Sequence, residues 1–156
     1  MKKSRLLIGA LAGATATVPM TAFLSAIHRV MPPQEQYPLP PREIVAELAE
    51  ESGLRRTLTP DQEYAAAVLC HYGYGSAAGA LYGALTPPGG STPARGAAFG
   101  LALWAVSYLG WLPALGILRP ATQHPPRRNA LMIASHLVWG LALAALLRSS
   151  SDPSDA

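Results

Sequence analysis

Charged residues and cysteines are both scarce in this chain of 156 residues. Asp, Glu, Lys and Arg make up 13% of it, whereas hydrophobic residues make up 50%. Soluble domains carry about 25% charged residues, so this composition argues against a soluble domain. The one cysteine, Cys70, excludes an intrachain disulfide and zinc sites that need several thiolates. Because Cys70 lies within an apolar run, we interpret it as an inert, small hydrophobic residue.

The few charges avoid four long stretches of the chain. No Asp, Glu, Lys or Arg occurs in Leu6–Ile27, Tyr64–Ala94, Gly96–Leu118 or Asn129–Leu147. Each stretch is between 19 and 31 residues long, and about 20 apolar residues in a helix cross a bilayer. The sequence therefore predicts an all-α, polytopic membrane protein with four transmembrane helices in an antiparallel bundle, surrounded by the lipid bilayer.

The basic residues lie at the ends of these stretches, as is typical of membrane flanks. They include Lys2, Lys3 and Arg5 before the first stretch, and Arg119, Arg127 and Arg128 between the last two. Nucleic acid is therefore not a predicted partner, despite the net charge of +3. The membrane orientation stays open, because the basic start favours termini inside and the short loop after Arg119 favours the reverse.

The predicted spans cover residues 6–30, 60–85, 93–118 and 130–147 of a single domain, 1–148, and residues 149–156 form a disordered tail. The first span also resembles a secretory signal with a weak cleavage site at Leu24–Ala26. It is longer than the core of a usual signal, and three spans follow, so an uncleaved helix is favoured.

Capping residues mark the starts of the later helices. Thr59 and Gln62 flank Pro60 in the pattern of a capping box, and Thr92 precedes a proline in the same way. Asn129 is the predicted cap of the last helix. Pro113, just after Gly110, predicts a bend in the third span.

A polar insert over residues 31–59 separates the first two spans. Its proline-rich part, residues 32–41, is predicted to be extended. Arg42–Ser52 spaces its apolar residues as a short amphipathic helix ending near Gly53. The polar face of that helix is acidic, unlike the basic face of most membrane-surface helices. We therefore favour a helix that caps the mouth of the bundle over one that lies on the membrane. Besides the lipid bilayer, a protein partner that binds the insert is predicted.

Small residues recur at four-residue spacing on every span, which lets helices approach closely in lipid. They are Gly9 and Gly13, then Gly75, Gly79 and Gly83, then Gly96 and Gly100, and finally Gly140 with Ala144. Packing within one chain is the favoured interpretation. A homodimer through an outward-facing stripe is the alternative.

Two histidines, His71 and His136, lie inside apolar stretches, each four residues before a glycine of these stripes. Each is also six residues into its apolar core, about 9 Å from the same membrane face. Thr21, Tyr108 and Trp111 fall near that level, so the sequence predicts one polar layer. Either the layer joins helices by hydrogen bonds, or it lines a path for protons or a small solute. Metal or haem ligation is disfavoured, since two histidine ligands would need facing helices, and no cofactor is predicted.

No motif of a nucleophilic, metal-dependent or phosphate-binding enzyme occurs in the chain, so no enzyme is predicted. Four short motifs are Pro40–Ile44, His71–Gly75, Trp111–Pro113, and Arg127–Asn129 followed by His136 and Trp139-Gly140. With these motifs the chain resembles the YagU-like small bacterial inner-membrane proteins. The resemblance implies a bacterial cytoplasmic membrane location and brings no assigned activity or catalytic residues. The predicted function is a non-enzymatic structural or interaction protein, and the alternative is a small proton- or solute-conducting protein.

Overall fold

The computed structural model describes residues 2–32, 40–54 and 57–150. Within those residues the chain is helical and has no strand, which confirms the all-α class. The helices are α1 (Lys2–Val30), α2 (Pro40–Glu51), α3 (Pro60–Leu85), α4 (Pro93–Ala105), α5 (Leu112–Ala114) and α6 (Pro126–Ser149). A π-helical turn, Val106–Trp111, joins α4 to α5, and a 3-10 turn, Ala121–Gln123, precedes α6.

Glycines bring α1 against α3 in antiparallel pairing. A Cβ atom on Gly79 would lie 2.6 Å from the Cα of Gly13, and one on Gly83 would lie 3.1 Å from the Cα of Gly9. Arg5, near the start of α1, donates hydrogen bonds to the carbonyls of Gly83 and Thr86 at the end of α3. The two helices therefore lie side by side along most of their length.

The α4 and α6 helices pair in the same antiparallel way. A Cβ atom on Gly100 would lie 3.3 Å from the Cα of Gly140, and one on Gly96 would collide with the backbone of Gly140. All eight glycines that the sequence assigned to helix packing are buried between helices of this one chain. A homodimer through the same stripes would have to displace an intrachain helix.

Three helical segments are long and apolar enough to cross a membrane: Ser4–Val30, Pro93–Ala114 and Pro126–Ser149. They are compatible with a membrane protein. The α3 helix is not among them, so the prediction of four spans is not confirmed by length and hydropathy. Glycine and tyrosine are frequent in α3, which also contains His71, and its first turn carries Asp61 and Glu63.

Capping predictions hold for two helices and fail for a third. The Thr59 amide donates to Gln62 Oε1 (2.8 Å) and the Gln62 amide to Thr59 Oγ1 (3.3 Å), which confirms the capping box of α3. Thr92 accepts from the Arg95 amide (3.3 Å) and confirms the start of α4. The prediction for Asn129 is wrong: α6 begins at Pro126, because proline suits the first helical position. Asn129 instead donates to the Ala121 carbonyl (2.7 Å).

The insert helix begins earlier than predicted. Pro40 and Pro41 form the first turn of α2, where proline needs no amide hydrogen, so the prediction that they are extended is wrong. The rest of the proline-rich part, residues 33–39, lies outside the described residues, as does most of the predicted tail, 151–156. The predicted end near Gly53 is confirmed, since Gly53 adopts φ +71° and the Leu54 amide bonds the Ala49 carbonyl at 2.9 Å.

The third span ends at Ala114 and not at Leu118. The departure from helical geometry lies at Gly110 (φ −111°, ψ −105°), inside the π-helical turn, three residues before the proline expected to bend the helix. Gly116 then takes φ +75°, which turns the chain back. Ile117 and Leu118 are consequently buried beside α5 instead of continuing the span.

The core consists of two apolar clusters at opposite ends of the packed helices. The first contains Ala12, Ala16, Met20, Ala78, Tyr82, Trp139, Leu143 and Leu147. The second contains Leu24, Tyr108, Leu112, Ile117, Leu118, Ala121, Leu131 and Met132.

Candidate functional site

A cavity of about 260 Å³ lies where the two apolar clusters meet. We call it the histidine cavity, because His71 of α3 and His136 of α6 both line it. The π-helical turn contributes Tyr108 and Trp111 to its wall, and α2 contributes Ile44.

Four of the five residues predicted to form a polar layer line this cavity: His71, His136, Tyr108 and Trp111. Thr21 does not line it. The Thr21 hydroxyl donates to the Thr17 carbonyl of its own helix (2.7 Å), and Thr17, one turn earlier, lines the cavity instead. The predicted depth of each residue was counted from the end of its apolar run, as if all helices were upright and started at one level. Tilted helices shift such a depth by about one turn.

A hydrogen bond sets the tautomer of the His136 ring. Its Nδ1 lies 2.8 Å from the Met132 carbonyl oxygen. Because a carbonyl only accepts, Nδ1 carries the hydrogen, and Nε2 of the neutral ring is an acceptor. The His136 side chain is buried, and the Tyr108 ring meets it edge to face at a centroid distance of 5.9 Å. The partner of His136 is thus its own helix, not a neighbouring one.

Other polar groups on the wall already have protein partners. The Thr17 hydroxyl donates to the Gly13 carbonyl (2.9 Å), and the Trp139 indole donates to the same oxygen (3.1 Å). The Tyr74 hydroxyl and the Ser107 hydroxyl bond each other at 2.8 Å. Most hydrogen-bond donors on the cavity wall therefore already have an acceptor within the protein.

His71 differs from His136 in having no hydrogen-bond partner among the described residues. Its ring is half-buried and contacts the ring of Tyr72, with centroids 6.2 Å apart. His136 bonds a carbonyl, as the interpretation of the layer as a set of hydrogen bonds expects, but that carbonyl belongs to its own helix.

The insert helix α2 covers the cavity and is held by an ion pair. Glu43 of α2 pairs with Arg128 in the first turns of α6, and the Arg128 side chain is 7% exposed. The Arg42 guanidinium lies 5.3 Å from the centre of the Tyr64 ring on α3. On the inner side of α2, Ile44 and Leu48 face the cavity. The contacts of α2 with its own chain agree with the capping interpretation.

A third histidine, His124, lies in the connection beside this ion pair. Partial burial and the positive charge of Arg128 lower the pKa of His124, although the carbonyl of Arg119 at 3.1 Å opposes this. The lowered pKa favours the neutral form of His124, which avoids a second positive charge next to Arg128.

The described residues give no support for a metal site. No group of three or more His, Cys, Asp or Glu side chains is arranged to hold a metal ion in residues 2–32, 40–54 and 57–150. In the described part of the chain, the residues that line the histidine cavity include no Asp, Glu, Lys or Arg.

Several residues of the site were not found from the sequence. The ion pair of Glu43 and Arg128 joins positions 85 residues apart, and no local pattern signals such a pairing. Ser107 precedes Tyr108 directly, and its place inside an apolar stretch is a signal that was available. In the sequence Trp139 stands out only as part of a family motif, yet it lines the cavity.

The chain matches a known protein family along most of its length. No curated protein and no solved structure is significantly similar to the chain. Residues 3–155 match a family of unknown function, DUF6789, and this match does not confirm the resemblance to YagU-like proteins. Because the match covers nearly all of the sequence, the chain belongs to the DUF6789 family.

Proposed function

We propose that this chain is a four-span integral membrane protein that binds a small apolar molecule in the histidine cavity and does not catalyse a reaction. The proposal has two parts: the crossing of the membrane by α3 and the use of the cavity. The contacts of α1 with α3 support the first part, and the size and lining of the cavity support the second.

The argument for a fourth span comes from packing. The α3 helix has 26 residues, or about 39 Å at 1.5 Å per residue. It is in backbone contact with α1 from Gly9 to Gly13 and is bonded at its end by Arg5. A helix packed along a membrane-spanning neighbour shares its environment. The apolar side chains Leu69, Leu81 and Leu85 of α3 are exposed, as expected for a surface that faces lipid.

The single observation that carries the binding proposal is the histidine cavity itself. A cavity of about 150 Å³ lined by apolar side chains binds benzene. By that scale the 260 Å³ of the histidine cavity suits a molecule with about ten carbon atoms. Ligand sites in membrane and soluble proteins are typically of this kind, mainly apolar with a few polar groups.

The cavity reaches the outer surface of the protein between α3 and the π-helical turn. Cys70, Tyr74 and Trp111 line the cavity and are also exposed. The exposed sides of the neighbouring Leu69 and Leu109 are apolar. We therefore propose that the ligand enters sideways from the bilayer and not from water.

Conduction has less support from the same packing. Beyond the cavity, the first apolar cluster fills the space between α1, α3 and α6 with residues such as Ala16, Tyr82 and Leu143. The indole of Trp139 closes that side by bonding the Gly13 carbonyl. A proton or solute path would need polar groups or water through this cluster. A protein partner at the insert, where Glu47 and Glu51 are exposed, stays a prediction.

Binding of naphthalene to the full chain in lipid nanodiscs tests the proposal. Isothermal titration calorimetry against protein-free nanodiscs separates binding by the protein from partition into lipid. We expect saturable binding to the wild type that Ser107→Leu weakens, because Ser107 is buried on the cavity wall. Ala102→Leu, an equal increase in size at an exposed position of α4, is the matched control. Absence of saturable binding, or equal weakening by both substitutions, would contradict the proposal.

A further inference from the structure

We infer that the molecule bound in the histidine cavity is a neutral alcohol or phenol, whose hydroxyl hydrogen-bonds the imidazoles of His136 and His71. This inference rests on the proposed function and names the chemical class of its ligand. The apolar body of the ligand would fill the remainder of the cavity, between Met20, Leu24 and Leu103.

The first step concerns the acceptor that the cavity offers. The hydrogen on His136 Nδ1 is committed to the Met132 carbonyl, so the second nitrogen, Nε2, carries a lone pair. No described residue forms a hydrogen bond with His136 Nε2, and His136 lines the cavity. This nitrogen is therefore the acceptor that we assign to the ligand. An acceptor in an apolar cavity favours a ligand that donates a hydrogen.

The second step concerns His71. Its ring lines the same cavity and has no hydrogen-bond partner in the described part of the chain. A neutral imidazole has one nitrogen that donates and one that accepts. A hydroxyl group has both the hydrogen that His136 Nε2 would accept and the lone pairs that a His71 N–H would meet. An ether or ketone lacks the hydrogen that His136 requires.

The third step excludes charged ligands. Among the described residues, no Asp, Glu, Lys or Arg lines the cavity, and the charges of Glu43 and Arg128 are paired with each other. A carboxylate or an ammonium group would therefore enter an apolar space without a counter-charge, which is strongly unfavourable. The remaining class is a neutral molecule with a hydroxyl and a hydrocarbon body.

Three probes that share the naphthalene ring system and differ in one substituent test this inference: naphthalene, 1-naphthol and 1-methoxynaphthalene. Their dissociation constants are measured by calorimetry on the full chain in nanodiscs. We expect the wild type to bind 1-naphthol about fivefold or more tightly than 1-methoxynaphthalene, the range of one net hydrogen bond. In His136→Leu this preference should fall to about one while naphthalene still binds. In His136→Gln, whose amide oxygen retains an acceptor, the preference should persist.

A second measurement does not depend on the folding of any variant. Nitrogen NMR of the wild-type imidazoles should show a shift of the His136 Nε2 signal with 1-naphthol and none with 1-methoxynaphthalene. Equal affinity for the two probes in the wild type, with no such shift, would overturn the inference but leave the proposed function intact. Binding of none of the three probes would overturn both.

Discussion

Two side chains of α6 show contrasting ways of burying a polar group. His136 bonds the carbonyl one turn before it in its own helix. Arg128 retains its charge and is paired with Glu43 from another helix, α2. Removing one partner of a buried ion pair costs more than the pair itself contributes, because the other charge is left uncompensated. The two residues therefore differ in how strongly they depend on distant parts of the chain.

The dependence of Arg128 on Glu43 gives a prediction for stability. Glu43→Ala should lower the free energy of unfolding by about 2 kcal/mol, the range for a hydrogen bond to a charged group. Glu47→Ala, on the exposed side of the same helix, should change it by less than about 0.5 kcal/mol. Denaturation in detergent micelles followed by circular dichroism measures both. Equal effects of the two substitutions would show that the ion pair does not hold α2 in place.

At the scale of elements, glycine determines how close the helices come. Hydrophobic burial does not drive helices together in lipid, and close backbone approach provides van der Waals contact instead. In α1 and α3 the contact is between backbones, with Gly13 and Gly79 facing each other. The same arrangement recurs between α4 and α6 at Gly96 and Gly140. These two tightly packed pairs frame the histidine cavity.

A comparison of two glycines of α3 tests this role. A Cβ atom on Gly79 would lie 2.6 Å from the Gly13 Cα, whereas one on Gly73 would have no atom within 4 Å. Gly79→Ala should therefore destabilise the protein by about 2 kcal/mol through overpacking. Gly73→Ala should leave stability unchanged or raise it by up to about 1 kcal/mol, because alanine favours the helix. Thermal unfolding in the same detergent compares the two, and a loss of stability in Gly73→Ala alone would contradict the assignment.

At the scale of the whole molecule, α2 and the break after α4 give the packed helices an interior. The π-helical turn directs Tyr108 and Trp111 towards α3 and α6, and π-helical turns are frequent at functional sites. The α2 helix then covers the resulting space through Ile44 and Leu48. Without the break, a regular helix from Pro93 to Leu118 would present a different set of side chains to the centre.

The number of spans gives a prediction for the topology of the whole chain. If α3 crosses with α1, as their packing supports, the two termini lie on the same side of the membrane. A reporter fused after Ala156 and one inserted between Pro88 and Gly89 should then both report the side of the N-terminus. A reporter inserted at Gln123 should report the opposite side. Termini on opposite sides would show that only three segments cross and would contradict the four-span proposal.

Local sequence patterns determined most of the secondary structure of this protein and the apolar character of its helices. The scarcity of charge predicted a membrane protein, the cap signals at Thr59 and Thr92 predicted two helix starts, and the glycine spacing marked the faces that pack. These features depend on neighbours within about four positions, so they can be read from the order of residues. The exceptions are also local. The α6 helix begins at Pro126 and not after Asn129, and the third span departs from helical geometry at Gly110 and not at Pro113.

The site was determined partly by sequence and partly by tertiary structure. Spacing from the glycines placed His71 and His136 on inward-facing sides, and the structure brings them to one cavity with Tyr108 and Trp111. Whether a space remained between them depended on the rotation of each helix, the break at Gly110 and the position of α2. The pairing of Glu43 with Arg128 and the choice of Thr17 over Thr21 depended on the same long-range geometry. These features depend on contacts between residues that are far apart in the chain, and such contacts are fixed by packing and not by periodicity.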